Sequence, residues 1–306
     1  MEKEKIARAY LNLCEPEKKS VATVQPRKIQ YKYDIVVIIP CYNVEIYVEQ
    51  CIKSALCQKT NAAIYIKLID DGSTDHTFEI IEKFKDVNNI EIIHQNNTGF
   101  SGARNRGLER LESRYLFFLD SDDYLPEDAL ENLYIAMQQE QADIIEGKTI
   151  TLYNDQYIED STFSDHKLSG YVWGKLIRTE LFQQICFPDG YWFEDSIMGY
   201  LIYPRCLKKT KINVPVYVYR RNQESITFKS ISDPKSVDTY WITELMLKEM
   251  KKLDIPINQE MFEQLTDQII LNFIRTNELD TNTKVAIFYL TKSWFVELSN
   301  KYILNP

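Results

Sequence analysis

The chain has 306 residues, with 36 Lys and Arg against 45 Asp and Glu and a formal net charge of −9. That length supports one large domain or one domain with an appendage, and the acidic balance excludes a nucleic-acid binder, which needs a basic face. An enzyme that handles phosphates on such a chain must bring its positive charge locally, from Arg, Lys, backbone N–H groups or a bound cation. The six cysteines (Cys14, Cys41, Cys51, Cys57, Cys186, Cys206) form no CxxC pair, and there are only three histidines. Both facts argue against zinc and for a reducing compartment. The opening MEKEKIARAY is too charged for a signal peptide, and no apolar run is long enough to span a bilayer. A cytoplasmic location is expected, with peripheral association at the inner face of the membrane left open.

Residues 1–33 read as a polar extension with a short helix near 3–13 and a linker over 15–32. Ordered structure is expected from 35–39, a β-branched run ended by Pro40 that suits a strand buried on both faces. An amphipathic helix follows over 45–57, then a strand at 64–69, a helix at 75–84, a strand at 90–93, a helix at 102–111 and a strand at 115–119. Pro126 is expected to open the next helix as its first residue. This alternation implies a largely parallel sheet with right-handed crossovers. From 142 to 228 the signals mix, with short strands at 144–145, 150–153 and 214–219. Residues 233–301 read as purely helical, with stripes at Val237, Trp241 and Leu245, at Leu265, Ile269 and Phe273, and at Val285, Tyr289 and Phe295.

Ligands of an open parallel sheet bind beyond the carboxyl ends of its strands. Those ends here carry Pro40–Cys41–Tyr42–Asn43, then Asp70–Asp71–Gly72–Ser73, then Gln95–Asn96–Asn97, and finally Asp120–Ser121–Asp122–Asp123. Residues two apart on an extended chain point the same way, so Asp120 and Asp122 can face one cation, Mg²⁺ or Mn²⁺, together with diphosphate oxygens. The alternative is a turn whose aspartates cap the helix at Pro126. Asp71 is suited to a nucleobase or ribose, Tyr42 to stacking on a base, and Asn43 to holding the turn. Gly99 through Gly107 opens a helix with Arg104 and Arg106, suited either to phosphate or to tight helix–sheet packing.

Together these segments resemble the inverting glycosyltransferases of family 2, which have a GT-A (Rossmann-like) fold. The matching stretches are IVVIIPCYNVEIYVEQCIKSALCQ, IKLIDDGSTDHT, NTGFSGARNRGLE and YLFFLDSDDYLPEDAL. VWGKLIRTELF, FEDSIMGYLI and VYVYRRNQESIT are similar to the family's acceptor-side half, with Glu224 where relatives often carry glycine. The resemblance implies an α/β GT-A catalytic domain over 34–232, divided into nucleotide-sugar binding (34–125) and acceptor side (126–232), followed by a helical extension over 233–306. It implies that Pro40, Tyr42 and Asp71 cradle the nucleoside, with Asp71 reading uracil. Asp122 would bind the metal and Asp120 the ribose or donor sugar. Asp195 of the Glu194–Asp195 pair would be the general base, its pKa raised by the aromatic loop before it. Arg220 and Arg221 would close over the diphosphate, and Trp173 and Lys175 would contact donor or acceptor.

The implied function is metal-dependent transfer, with Mn²⁺ or Mg²⁺, from a nucleotide sugar, expected to be a UDP-sugar, to a glycan, lipid-linked or glycoprotein acceptor. Bacterial capsule, exopolysaccharide or adhesin glycan synthesis is the expected setting. A non-catalytic partner subunit with the same fold would have lost Asp122 or Asp195, and a sugar nucleotidyltransferase would need a lysine or phosphate loop near the first strand. The C-terminal stripes are expected to pack on the catalytic domain or to pair two subunits.

Overall fold

The computed structural model describes residues 2–15, 20–159, 167–221 and 233–302. The chain forms two compact units. The sheet unit comprises Thr23–Asp189 and Arg205–Asn222, and the helical unit comprises Met1–Ala22, Gly190–Pro204 and Gln223–Pro306.

The sheet unit is built on β1 (Ile29–Cys41), β2 (Ile64–Asp70), β3 (Ile90–His94), β4 (Leu111–Phe118), β5 (Ile144–Tyr153), β6 (Gln156–Glu159), β7 (Lys175–Arg178) and β8 (Lys209–Arg220). Its strand order is β3-β2-β1-β4-β7-β5-β6, with β8 parallel to β5. The first four run parallel, in registers such as Ile35↔Ile64 and Val37↔Phe117. Ile35 through Ile39 are fully buried, as expected for a strand covered on both faces. The helix α2 (Val48–Leu56) buries Val48, Cys51, Ile52 and Ala55, a single apolar stripe at helical spacing.

Several boundaries differ from the sequence reading, each for a reason visible in the contacts around it. β1 begins at Ile29, because Tyr33 stacks on Tyr65 of the neighbouring strand at 4.4 Å and Lys32 pairs with Glu112 at 2.7 Å. The stretch before it is also laid on the sheet unit: Thr23 bridges Ile185, and the Arg27 guanidinium donates to the carbonyls of Phe182 and Ile185. β4 begins at Leu111, a residue the apolar pattern gave to the preceding helix. Its buried Glu112 and Ser113 interrupt that pattern. Pro126 is not a helical residue, since α5 covers Ala129–Glu140. Gln58 arranges this start from elsewhere in the chain, donating to the Pro126 carbonyl and accepting from the Leu130 amide.

Between β3 and β4 lies α4 (Gly99–Leu108), and α3 (Thr77–Glu82) follows β2. Two contacts set the height of α4 over the sheet. A Cβ at Gly107 would sit 2.6 Å from Ile38 Cγ2, so only glycine lets the helix approach this closely. Lys67, buried in mid-strand, donates to the carbonyls of Gly107 and Arg110 at 3.2 and 2.7 Å, the favourable place for a cation at a helix end. Burial pushes its pKa down, opposed by Glu112.

The helical unit contains α1 (Glu2–Leu11), α6 (Asp238–Lys252), α7 (Gln259–Arg275) and α8 (Thr281–Tyr302). Val237, Trp241 and Leu245 are buried as the spacing implies. The other two stripes differ. In α7 the buried row is Met261, Leu265, Gln268 and Asn272, while Phe273 is exposed. In α8 Ala286, Ile287 and Leu290 are buried, and Val285 and Phe295 are exposed. A buried polar row explains the miss: Gln268 and Asn272 bond to each other and to Thr239 of α6, so hydrophobicity does not mark the inner face. Ion pairing of Arg8 with Glu244 ties α1 to α6. Among the described residues no helix is long and apolar enough to cross a membrane.

The Gly107 contact yields a test. Gly107→Ala is expected to lower unfolding free energy by about 1–3 kcal/mol, the usual cost of overpacking, measured by urea titration. An unchanged midpoint would show that α4 is free to shift.

Candidate active site

β1 lies between β2 and β4, so the chain leaves it in opposite directions across the sheet. That reversal is where an open parallel sheet leaves a crevice beyond its carboxyl ends. Pro40 and the Asp120 turn belong to the two strands that flank it.

The turn after β1 is locked to the turn after β2. Asn43 adopts a left-handed conformation (φ 51°) tolerated by asparagine. Its Oδ1 accepts from the Thr74 amide at 2.8 Å, and its own amide donates to Ser73 Oγ. Tyr42 projects beside it, 47% exposed, with its ring free to meet a planar ligand. Asp71 is buried and accepts three hydrogen bonds on one oxygen, Oδ1, from Gln95 Nε2, the Thr98 amide and Thr98 Oγ1. No described residue donates to its Oδ2. Gln95 is among the strand-end residues read from the sequence and Thr98 is not, although both lie just after β3, where a residue that orients Asp71 belongs. Gly99 takes φ 80° at the start of α4, and nothing lies within 4 Å of the place its Cβ would occupy.

The Asp120–Asp123 turn divides its carboxylates by role. Asp120 Oδ1 pairs with the buried Arg104 at 2.7 Å, and the Asp120 amide donates to the Tyr217 hydroxyl at 3.1 Å. Arg104 is therefore enclosed and holds Asp120, with its guanidinium 5.9 and 5.5 Å from the ring centroids of Phe100 and Phe187. Asp123 is buried, accepts from the Arg220 amide at 2.7 Å and bonds the Tyr217 hydroxyl. Burial and the neighbouring Asp122 and Asp120 charges hold its carboxyl well above the usual range. Half-buried Asp122 forms no ion pair among the described residues. Burial and the Asp120 charge push its pKa up to about 6. None of these aspartates caps α5, whose start is set by Gln58. Among the described residues no three His, Cys, Asp or Glu side chains converge as a cage for a cation. A cation here would have to complete its shell with ligand oxygens.

The two arginines at the end of β8, Arg220 within it and Arg221 just after, part company, as adjacent residues of an extended chain do. Arg220 lies over Tyr47 and Tyr124, 5.1 and 4.8 Å from their centroids, beside the Asp123 carboxylate that holds its amide. Arg221 stacks on Tyr153 instead. Trp173 is half-buried in a ladder of parallel rings, with Tyr171 at 4.6 Å, Tyr217 at 4.6 Å and Tyr219 at 5.6 Å. Lys175 is fully buried. It pairs with Glu146 at 3.2 Å and donates to Ser169 Oγ and the Tyr171 carbonyl, so it ties down the loop that carries Trp173. Glu194 and Asp195 belong to the helical unit, Glu194 buried and Asp195 half-buried. The QESIT element with Glu224 lies outside the described residues. Tyr217, which anchors both sides of the Asp120 turn, was hidden in the alternating strand VYVYR as an ordinary inward residue.

The pattern of glycosyl transferase family 2 matches residues 36–190, half of the chain. The chain belongs to glycosyl transferase family 2. Among relatives, it is 32% identical over 218 residues to the glycosyltransferase GlyA of Streptococcus pneumoniae, covering 63% of this chain and 31% of GlyA. It is 31% identical over 219 residues to GlyG of the same organism, covering 63% of this chain and 72% of GlyG. The chain thus spans about a third of the first of these relatives. The fold is similar to that of S. aureus TarS residues 1–349, solved in complex with UDP-GlcNAc, at a TM-score of 0.56 and 18% identity over 85% of this chain and 92% of that one. The mostly parallel sheet with flanking helices is the GT-A fold of this glycosyltransferase family.

The two carboxylates in this family 2 turn should respond oppositely to substitution. An acid whose folded pKa exceeds its unfolded one binds its proton more tightly when folded, so it costs stability as pH rises through that window. In EDTA, Asp122→Asn is expected to melt above the parent, with the gap opening between about pH 4 and 6 and constant beyond. Asp123→Ala leaves the Tyr217 hydroxyl and Arg220 amide without their acceptor and should cost about 1–3 kcal/mol. Thermal melts across pH measure both. A lower melting point for Asp122→Asn would contradict the like-charge account.

Proposed function

We propose that this chain transfers a sugar from a nucleoside-diphosphate donor, a UDP-sugar, to a hydroxyl of a bacterial surface glycan, with inversion at the anomeric carbon. The observation that carries the reading is the presence of Asp71, whose Oδ2 accepts from no described residue, and of a half-buried Asp122 in no ion pair among the described residues, at the ends of β2 and β4, the two strands that flank β1.

In this reading Asp71 Oδ2 accepts the uracil N–H, while Gln95 and Thr98 keep the carboxylate from turning. Tyr42 stacks on the base, and Pro40 and Asn43 shape the turn beneath it. Asp122 and Asp120 are the residues that would hold a divalent cation. They suit Mn²⁺ or Mg²⁺, which prefer oxygen ligands and share them with phosphates. The bound cation would supply neutralisation of the leaving diphosphate's charge. Asp120 has one oxygen committed to Arg104, so Asp122 is the freer of the two. Arg220 adds a fixed positive charge near the same turn, and Arg221 does not share its surroundings. Trp173, held by Lys175, offers a ring edge to a sugar.

We assign Asp195 as general base from the resemblance of Glu194–Asp195 to the family's acidic pair, although this pair lies just beyond the matched residues 36–190. It takes the acceptor hydroxyl's proton as the oxygen attacks the anomeric carbon. The bond from that carbon to the phosphate oxygen breaks, and the nucleoside diphosphate departs with the electron pair.

Nucleoside diphosphate release, measured across UDP-, GDP- and dTDP-sugars with glycan acceptors, tests the assignment. Asp195→Asn is expected to lower turnover by about 10²–10⁴-fold with donor binding unchanged, and the product should carry the configuration opposite to the donor's. Near-normal turnover in that variant would move the base elsewhere. A product of retained configuration would remove the single displacement. Release from no donor under any condition would favour a non-catalytic partner subunit.

A further inference from the structure

The family match ends at residue 190, immediately before the loop that leads to Glu194–Asp195. Phe193 in this loop has φ 64°. A bulky aromatic residue rarely occupies the left-handed region unless its surroundings hold it there. The turn that follows depends on this geometry. The Ser196 amide donates to the Phe193 carbonyl at 3.0 Å, the Ile197 amide to Glu194 and the Met198 amide to Asp195.

The restraints come from later in the chain and lie within the same helical unit. Lys235 Nζ donates to the Gly190 carbonyl and to Asp238 Oδ2, both at 2.7 Å. Asp238 Oδ2 also accepts from the Trp192 amide at 2.9 Å, and Asp238 is buried at the first position of α6. Arg275, at the last position of α7, lies 3.8 Å from the centroid of the Phe193 ring and donates to Thr239 Oγ1 at 3.1 Å. The short helix at Met198–Ile202 meets α7 closely: a Cβ on Gly199 would fall on the Gln264 side chain. Loop entry, loop backbone, loop ring and exit helix are thus each engaged by the segment beyond the family match.

We propose that Arg275, with Asp238 and Lys235, is a positioning residue that holds the Glu194–Asp195 turn through the Phe193 ring and the loop backbone. The proposal rests on the reading of Asp195 as base. The C-terminal helices then serve the reaction by fixing where that carboxylate points, without touching substrate. The cation–π contact suits this task because it sets the plane of a ring next to the turn and needs no hydrogen-bond acceptor on the loop.

Amide hydrogen exchange on the full chain, read over residues 191–198, tests the clamp before any donor is known. Arg275→Met is expected to speed exchange there at least tenfold and leave the strands β1–β4 unchanged. With the donor selected by the release assay, its turnover number should fall about tenfold at unaltered donor KM, and Arg275→Lys should recover most of both losses. Phe193→Gly, which accepts the left-handed backbone without strain, keeps the fold and removes the ring. It should show the same local acceleration. Unchanged exchange over 191–198 in both Arg275→Met and Phe193→Gly would overturn the proposal, as would faster exchange with an unchanged turnover number. Failure of the base reading looks different: Asp195→Asn would then remain active whatever the exchange rates show.

Discussion

Three carboxylates within four residues must be kept from repelling one another in a partly dry crevice, and the rest of the site is arranged around that constraint. Arg104 neutralises Asp120 from beneath, reaching it from a helix whose approach is set by Gly107 and Lys67. Tyr217 and the Arg220 amide satisfy Asp123. Asp122 forms no ion pair among the described residues, and burial and the Asp120 charge outweigh the opposing charges of Arg220 and Arg104 to raise its pKa to about 6. A carboxylate held against its own electrostatics is the kind of group that a ligand can reward, and such groups gather at functional sites.

The ring ladder extends this logic along β8 to the loop that carries Trp173. Tyr217 is both the hydroxyl that binds the Asp120 amide and a ring stacked on Trp173. Lys175 holds the loop of Trp173 by carbonyl and ion-pair contacts. A residue that read from sequence as a ligand contact thus acts one step further back, by keeping an aromatic surface in register with the aspartate turn.

Much of this was legible in the sequence because strong, local signals coincide with function. The apolar runs at 35–39 and 64–69 are strands, and the aspartates that end the parallel strands lie where the order of elements places them. What was not legible depends on partners far along the chain. Ile29–Asp34 looks polar until Tyr65 and Glu112 are beside it. The start of α5 is set by Gln58 rather than by Pro126. Arg104 and Lys175 look like ligand contacts until Asp120 and Glu146 are placed against them. The stripes of α7 and α8 were misread because Gln268 and Asn272 form a buried polar row with Thr239. In each case a polar residue is buried by a partner that one-dimensional patterning cannot supply.

The central claim is that Asp122, which forms no ion pair among the described residues, is the carboxylate at which a metal ion and a diphosphate would bind together. Calorimetric titration of UDP into the parent and into Asp122→Asn, each with Mn²⁺ and with EDTA, tests it most directly. The account predicts that Mn²⁺ tightens UDP binding at least tenfold in the parent and has no effect in Asp122→Asn. Equal enhancement by Mn²⁺ in both proteins would contradict it.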